Sequence, residues 1–379
     1  MEADEELRAW LTLMRAPGLG GVGIRALLDR AGSAVAACAD IRRYRDTAGL
    51  APAALEWIGH PDQARLDADL AWLAMPRHRL LRFDEADFPP QFETIPQPPA
   101  ALFVAGDEAA LLSPQVAIVG ARSATAQGLV TARDFARTLS RSGLTVTSGM
   151  ADGIDGAAHA AAMEAGGATV AVVGTGPDIF YPVKHRELAK KIIERGAIVS
   201  EFAPGTEARP GHFPRRNRLI AGLALGTLVV EAGLQSGSLI TARLAAEAGR
   251  EVFALPGSIH NPLAKGCHRL IRDGARLVET AAEVIEALGP AAQALGAGLR
   301  ARLEEADAPA GTPATRMQDP DYATLLAAIG EAPASLDELA ARTGLAPAAL
   351  SSMLLLLELE GTVAPAVHGR WQRLFRAGA

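Results

Sequence analysis

The densest chemistry in this sequence lies in residues 208–222, ARPGHFPRRNRLIAG, where Arg209, Arg215, Arg216 and Arg218 stand beside His212, Phe213 and Asn217. Guanidinium forks match phosphate oxygens, and an exposed phenyl ring offers a face on which a base can stack for about 1–3 kcal/mol. A plainer account anchors Phe213 in the core and leaves the arginines solvated at a helix start. Four positive charges at a helix N-terminus oppose the macrodipole unless an anion compensates them, which puts the ligand reading first.

Four further segments carry polar residues where a strand gives way to a turn. In VAIVGARSATAQG, Gly120 closes a strand, Arg122 and Ser123 fill the turn, and a helix begins near Thr125. This is neither G-x-G-x-x-G nor a Walker lysine loop, which weakens dinucleotide and NTP readings. A helix N-terminus beside Arg122 is an anion site, and an ordinary turn with a solvated arginine fits equally. In TSGMADGIDGAAHAAA, Gly149, Gly153 and Gly156 permit a tight turn and Asp152 or Asp155 can cap the next helix. His159 is expected on a helix face, without chemistry. In VVEAGLQSGSLITARLAAEAG, Glu231 ends a strand, and Ser236, Gly237 and Ser238 offer donors to a phosphate or simply cap the helix. The last segment, PGSIHNPLAKGCHRLIRDGA, adds Lys265, His268, Arg269 and Arg272. His268 beside Cys267 has no further cysteine partner for a metal, so neither a metal nor a cofactor is expected.

These segments need a frame. VAIVGA, LTVTSG, ATVAVVG, AIVSE, TLVVEAG, EVFALPG and ARLV are short aliphatic runs, most of them separated by helical stretches. That alternation predicts a Rossmann-like, mostly parallel sheet with helices on both faces, whose ligands sit at the carboxyl ends of the strands. The fold class is therefore α/β, with a small all-helical N-terminal domain and a C-terminal winged-helix domain. Expected domains are residues 1–80 (SAM or helix-hairpin-helix-like), 81–288 (the sheet), a linker over 289–318, and 319–379. In the first, PGLGG-VG between two helices admits either a phosphate-contacting hairpin or a plain packing turn. The proline-rich FPPQFETIPQPPAALFVAG is expected to run extended across a surface. In the last, the helix APAALSSMLLLLELEG contains no Arg or Lys, which favours a protein-contact or structural role over groove reading.

Composition sets outer bounds. The 49% hydrophobic and 21% charged fractions suit a soluble globular protein, while 4% aromatics leave small aliphatics to fill the core. Two cysteines cannot make a disulfide framework, the acidic start lacks a signal-peptide pattern, and no run of about 20 apolar residues spans a membrane. A cytoplasmic protein without membrane contact is expected. The net charge of -6 argues weakly against nucleic acid as a whole-chain property, but local potential follows clustering.

VAIVGAR, SGMADGIDGAAH, GTGPDIFYPVKH, SEFAPGTEARPGHFPRRNRLIAG, VVEAGLQSGSLITA and ALPGSIHNPLAKGCHRLIRDGA resemble, in order, successive blocks of the DNA-processing protein A (DprA/Smf) family, across about Pro98 to Leu288. The resemblance implies binding of single-stranded DNA in natural transformation and recombination, a homodimer, loading of the RecA recombinase, and no catalysis. It carries Arg122, the block Phe213, Arg216, Asn217 and Arg218, and the turn Ser236, Gly237 and Ser238 onto the family's motifs. Two departures are visible: Pro210 stands where some members have lysine, with Arg209 beside it, and Ala121 stands where many have serine.

Two rival classes share such a sheet. A nucleotide phosphoribohydrolase needs a glutamate in its fourth loop, and the aligned position here is Thr241, which cannot relay a proton near neutral pH. A pure scaffold would use the sheet only to dimerise. The favoured reading requires the crest of the sheet to carry a positively charged, glycine-lined trough, and guanidinium groups neutralised by acidic neighbours would contradict it.

Overall fold

The seven aliphatic runs are seven parallel strands: β3 (Gln115–Val119), β4 (Thr145–Ser148), β5 (Thr169–Val172), β6 (Ala197–Ser200), β7 (Gly226–Val229), β8 (Glu251–Ala254) and β9 (Arg276–Leu277). In the sheet they lie in the order β6-β5-β4-β3-β7-β8-β9, so strand order reverses between β3 and β7. Such a switch point is where an open α/β sheet leaves a crevice. The crossovers are the helices α6 (Ala126–Arg141), α7 (Ile154–Glu164), α8 (Arg186–Arg195), α9 (His212–Leu223), α10 (Ser238–Glu247) and α11 (Lys265–Arg272). The structure is a computed structural model that describes residues 2–46, 49–307, 320–329, 334–345, 350, 353–354, 357, 363–366 and 370–373.

Strands β3 to β7 are buried along their whole length, which is why they read as continuous Val, Ile, Ala and Thr runs rather than as alternation. Helix α6 buries Ala132, Phe135, Ala136 and Leu139, one stripe at helical spacing. Facing it, α7 buries Ala157, Ala158, Ala161 and Ala162 in the same core. Small side chains let these two helices sit close, which is how so few aromatics suffice.

The proline-rich passage departs from expectation. It is no surface strap: Phe88, Phe92 and Ile95 are buried in the main core, and a 3-10 turn covers Pro90–Thr94. Its end becomes β2 (Ala101–Gly106), which pairs antiparallel with β6 and with β1 (His78–Arg82). Proline fixes φ without fixing burial, and the apolar residues between the prolines decide which way the chain faces.

Helices α1 (Glu2–Arg15), α2 (Gly21–Ala31), α3 (Ala34–Ala39), α4 (Pro52–Gly59) and α5 (Gln63–Leu73) make up the expected helical N-terminus. They share a core with β2: Trp10, Leu11, Leu27 and Leu66 pack with Phe103, and Trp72 meets Phe103 edge-on at 6.0 Å. Residues 1–302 accordingly form one compact unit and residues 303–379 a second. The stretch read as a linker is helical at first, within α12 (Ala281–Asp307), which contains Pro290; residues 308–318 lie outside the described residues.

The second unit holds α13 (Pro320–Ile329), α14 (Leu336–Thr343) and a three-stranded sheet in the order β10 (Ala334–Ser335), β12 (Arg370–Arg373), β11 (Val363–Ala366). Ser335 and Glu338 form a reciprocal capping box at the start of α14. Of the segment 346–361, expected to be a helix, Leu350, Met353, Leu354 and Leu357 are described, and they are buried with Leu325, Leu326 and Ile329; the rest lies outside the described residues. This is the expected winged-helix arrangement. Among the described residues, no helix is long and apolar enough to cross a membrane.

Candidate nucleic-acid interface

Loops from the carboxyl ends of the parallel strands enclose an open trough of about 720 Å³ above the β3/β7 switch point. Gly120, Arg122 and Ser123 reach it from β3, Ala151 and Asp155 from β4, Tyr181 from β5, Phe213, Arg216 and Asn217 from α9, and Ser236, Gly237 and Ser238 from β7.

Helix α9 divides the arginine cluster. Phe213, Arg216, Asn217 and Ile220 follow one another at helical spacing and face the trough. Arg215 and Arg218 share another face, and both are held by Glu201, a buried carboxylate just past the end of β6. Arg215 approaches it at 3.1 Å and stacks its guanidinium over Phe202, while Arg218 also donates to the Gln97 carbonyl at 2.5 Å. The expectation that they join a phosphate track meets this finding: both guanidiniums sit on one carboxylate, which offsets one of their two charges, and neither lines the trough. Arg209 is exposed beyond Pro210, and Lys265 is exposed at the start of α11; neither lines the trough either.

Arg216 is buried, not presented. It donates to the Gly149 carbonyl at 2.7 Å and to the Val172 carbonyl, and its Nε donates to Asn217 Oδ1 at 3.1 Å. Burial pulls its pKa down to about 10, while nearby Asp155 acts in the opposite sense and Arg122 adds to the fall. Burial raises the Asp155 carboxyl, and the Arg216 charge and neighbouring N–H donors resist that rise. Asp155 therefore does not cap α7. Its Oδ2 accepts the Gly149 and Ala151 amides on either side of Met150, whose φ of 57° is rare for a side-chain-bearing residue. Asn217 ties the frame onward through Nδ2 to the Gly237 carbonyl at 3.4 Å.

The nominated glycines serve different ends. A Cβ on Gly149 would lie 2.7 Å from the Arg216 guanidinium, and one on Gly153, at φ 75°, would lie 2.2 Å from the Ala121 carbonyl. Gly120 is closed off by Ile154 and Glu231. These three make close packing possible, whereas Gly237 has open space around it at the trough.

The β3 turn also differs from expectation. The start of α6 already holds an anion of its own: Glu231 accepts from the Thr125 amide at 2.9 Å and the Thr125 hydroxyl at 2.7 Å. A ligand anion at that helix is displaced by this carboxylate. Helix α10 is the open one, with no side-chain cap at Gly237 and no acidic residue in its first turn. Ser236 and Ser238 pair their hydroxyls at 2.7 Å beside it. Its positive dipole end therefore faces the trough uncompensated.

What remains exposed is compact. Arg122 holds its guanidinium 5.5 Å from the centre of the Phe213 ring, and no carboxylate lies within ion-pair distance of it among the described residues. Tyr181 meets the same ring at 5.6 Å, tilted by 38°. Tyr181 was not singled out from the sequence, although an aromatic in a loop at the carboxyl edge is the signal that would have found it. Glu201 was missed too, because its role appears only once the helix period splits Arg215 from Arg216.

His159 lies buried against Thr169 Oγ1 at 2.7 Å, and burial drives its pKa down to about 3, helped by His185 and Arg216. Cys267 is buried, with its thiol pushed up to about 11 by desolvation. Among the described residues no group of three His, Cys, Asp or Glu side chains is placed to hold a metal.

Comparison with known proteins adds the following. A family model described as DNA recombination-mediator protein A matches residues 79–289, and one for the DprA winged helix domain matches residues 306–367. Protein Smf of Escherichia coli K12 is 42% identical over 313 residues, covering 82% of each chain. The X-ray structure of DNA processing protein A from Streptococcus pneumoniae superposes with a TM-score of 0.66 at 36% identity, covering 74% of this chain and 97% of that one. A structure of DNA processing protein A from Helicobacter pylori, concerned with its single-stranded DNA binding mode, superposes with a TM-score of 0.51 at 28% identity, covering 56% of this chain and 95% of that one.

Proposed function

The chain belongs to the DNA recombination-mediator protein A (DprA/Smf) family, and on that premise we propose that it binds single-stranded DNA in the trough above the β3/β7 switch point. The observation that carries the reading is the uncompensated Arg122 guanidinium over the Phe213 ring, with Tyr181 alongside and the open end of α10 opposite. A guanidinium and a helix N-terminus take phosphate oxygens, and an exposed ring beside a half-buried one takes bases without regard to sequence. The H. pylori relative's single-stranded DNA binding supports the same reading.

In this reading Arg122, Ser123, Phe213, Ser236, Gly237 and Ser238 touch the strand. Gly120, Gly149, Gly153, Arg216 and Asn217 shape the trough from behind. Arg209 and Lys265 contribute at most to the surrounding potential. We place the protein in recombination as a non-catalytic homodimer that hands its strand to RecA recombinase, with family membership as the support for that step. Against hydrolysis stands the local chemistry: Asp155 is the one carboxylate lining the trough among the described residues, and it is spent on backbone amides, while Thr241 occupies the rival glutamate's position.

Titration with a fluorescent oligothymidine and with nucleoside monophosphates tests the reading. Tight, salt-sensitive oligonucleotide binding without release of free base is the expected result. Cleavage of a monophosphate to base and sugar phosphate would replace it with the hydrolase.

A further inference from the structure

One strongly basic surface of the α/β unit has no part in the trough. Helix α8 turns Ala189 and Ile192 inward and exposes Arg186, Lys190, Lys191 and Arg195. Lys184 precedes it, and Arg77 donates to the Glu194 carbonyl at its far end at 3.1 Å. Lys190 is paired with Glu187 at 2.8 Å and Lys184 with Asp152 at 2.9 Å. Among the described residues no carboxylate lies within 4 Å of Arg186, Lys191 or Arg195. The Glu187 carboxyl is held below its ordinary range by its hydrogen bond to Lys190 first, with the charges of Lys190, Arg186 and Lys191 adding.

The surface joins the trough directly. Asp152, the partner of Lys184, lines a recess of about 50 Å³ with Arg122, Tyr181 and Phe213. Tyr181 is 46% exposed and Val183 76% exposed, forming an apolar rim between ring pair and helix. From that rim α8 runs back along the sheet for about 15 Å, with a cation at nearly every turn.

We infer that a single strand leaving the trough passes over Tyr181 and lays its phosphates along the exposed face of α8, with Arg186 and Lys191 as principal contacts. This deepens the trough reading and rests on it. A face on which cations outnumber the exposed carboxylates Glu187 and Glu194, adjoining a tilted pair of rings, fits a polyphosphate better than an acidic protein, whose carboxylates need no aromatic rim.

The test compares oligothymidines of about six and about twenty nucleotides on the full chain, for wild type, Arg186→Ser/Lys191→Ser, Glu187→Gln and Arg122→Ala. The double variant should bind the long strand on the order of tenfold more weakly at physiological salt, with the salt slope shallower by about 1.4, and the short strand unchanged. Glu187→Gln should strengthen the long strand only, an effect no loss of folding can mimic. Equal binding of both lengths by the double variant and wild type would overturn the inference, as would equal weakening of both lengths, which marks a general field and not a path. If Arg122→Ala still weakens both lengths in either case, the trough stands without the α8 path; if Arg122→Ala weakens neither, both fall.

Discussion

Two units of this chain have folds that elsewhere meet nucleic acid, and their surfaces are opposites. The α/β unit presents a bare guanidinium, paired rings and an open helix end at one crest. The C-terminal unit has the winged-helix order, yet the helix that would enter a groove, residues 346–361, contains no Arg or Lys, and its described residues are buried leucines and a methionine. Architecture places an element; only the charge and exposure of its side chains make it a contact. The comparison also holds inside the first unit, where one helix turn sends Arg216 inward and Arg215 and Arg218 to Glu201.

The largest expected effect is Arg216→Ala. Removing a fully buried cation leaves Asp155 uncompensated and the carbonyls of Gly149 and Val172 unpaired, a loss of about 3–5 kcal/mol that thermal unfolding would register. Retention of the wild-type melting temperature would mean that Arg216 is a ligand contact and not part of the frame. Next come the members that line the trough. Phe213→Ala should cost about 1–3 kcal/mol of oligonucleotide affinity with the salt slope intact. Arg122→Ala should flatten that slope by about 0.7, similarly for every sequence. An inverted pattern would exchange their roles.

A pH series adds a smaller effect. His159 titrates at 6.5 ordinarily and near 3 when folded, so its contribution is fully present above 6.5 and lost as pH falls toward 3. The unfolding free energy should drop by up to about 1.4 kcal/mol per pH unit across that window, and His159→Gln should remove that share of the slope. Smallest of all, truncation after residue 307 should leave the oligonucleotide affinity and salt slope unchanged. A large loss would show that the winged-helix unit contacts DNA.

The sheet was legible because its strands are buried on both faces and carry the signal as unbroken aliphatic runs. Strands β1 and β2 were not, because prolines beside them look like surface chain while Phe92 and Ile95 hold that chain inside. At the candidate site, residue types pointed to the loops that line the trough, since carboxyl-edge turns border the crevice in such a sheet. Side-chain direction was another matter. Four arginines in ten residues read as one cluster only when the 100° step of the helix is ignored. The seating of Arg216 on the Gly149 carbonyl, and of Arg215 and Arg218 on Glu201, depends on contacts across 14 to 67 positions of chain, which local patterning does not encode.

Glu231 has a consequence for where an anion can settle. The start of α6 is occupied from within by a tethered carboxylate. A free phosphate approaching that helix start meets like charge, which leaves the uncapped start of α10 as the one of these two helix ends open to an anion.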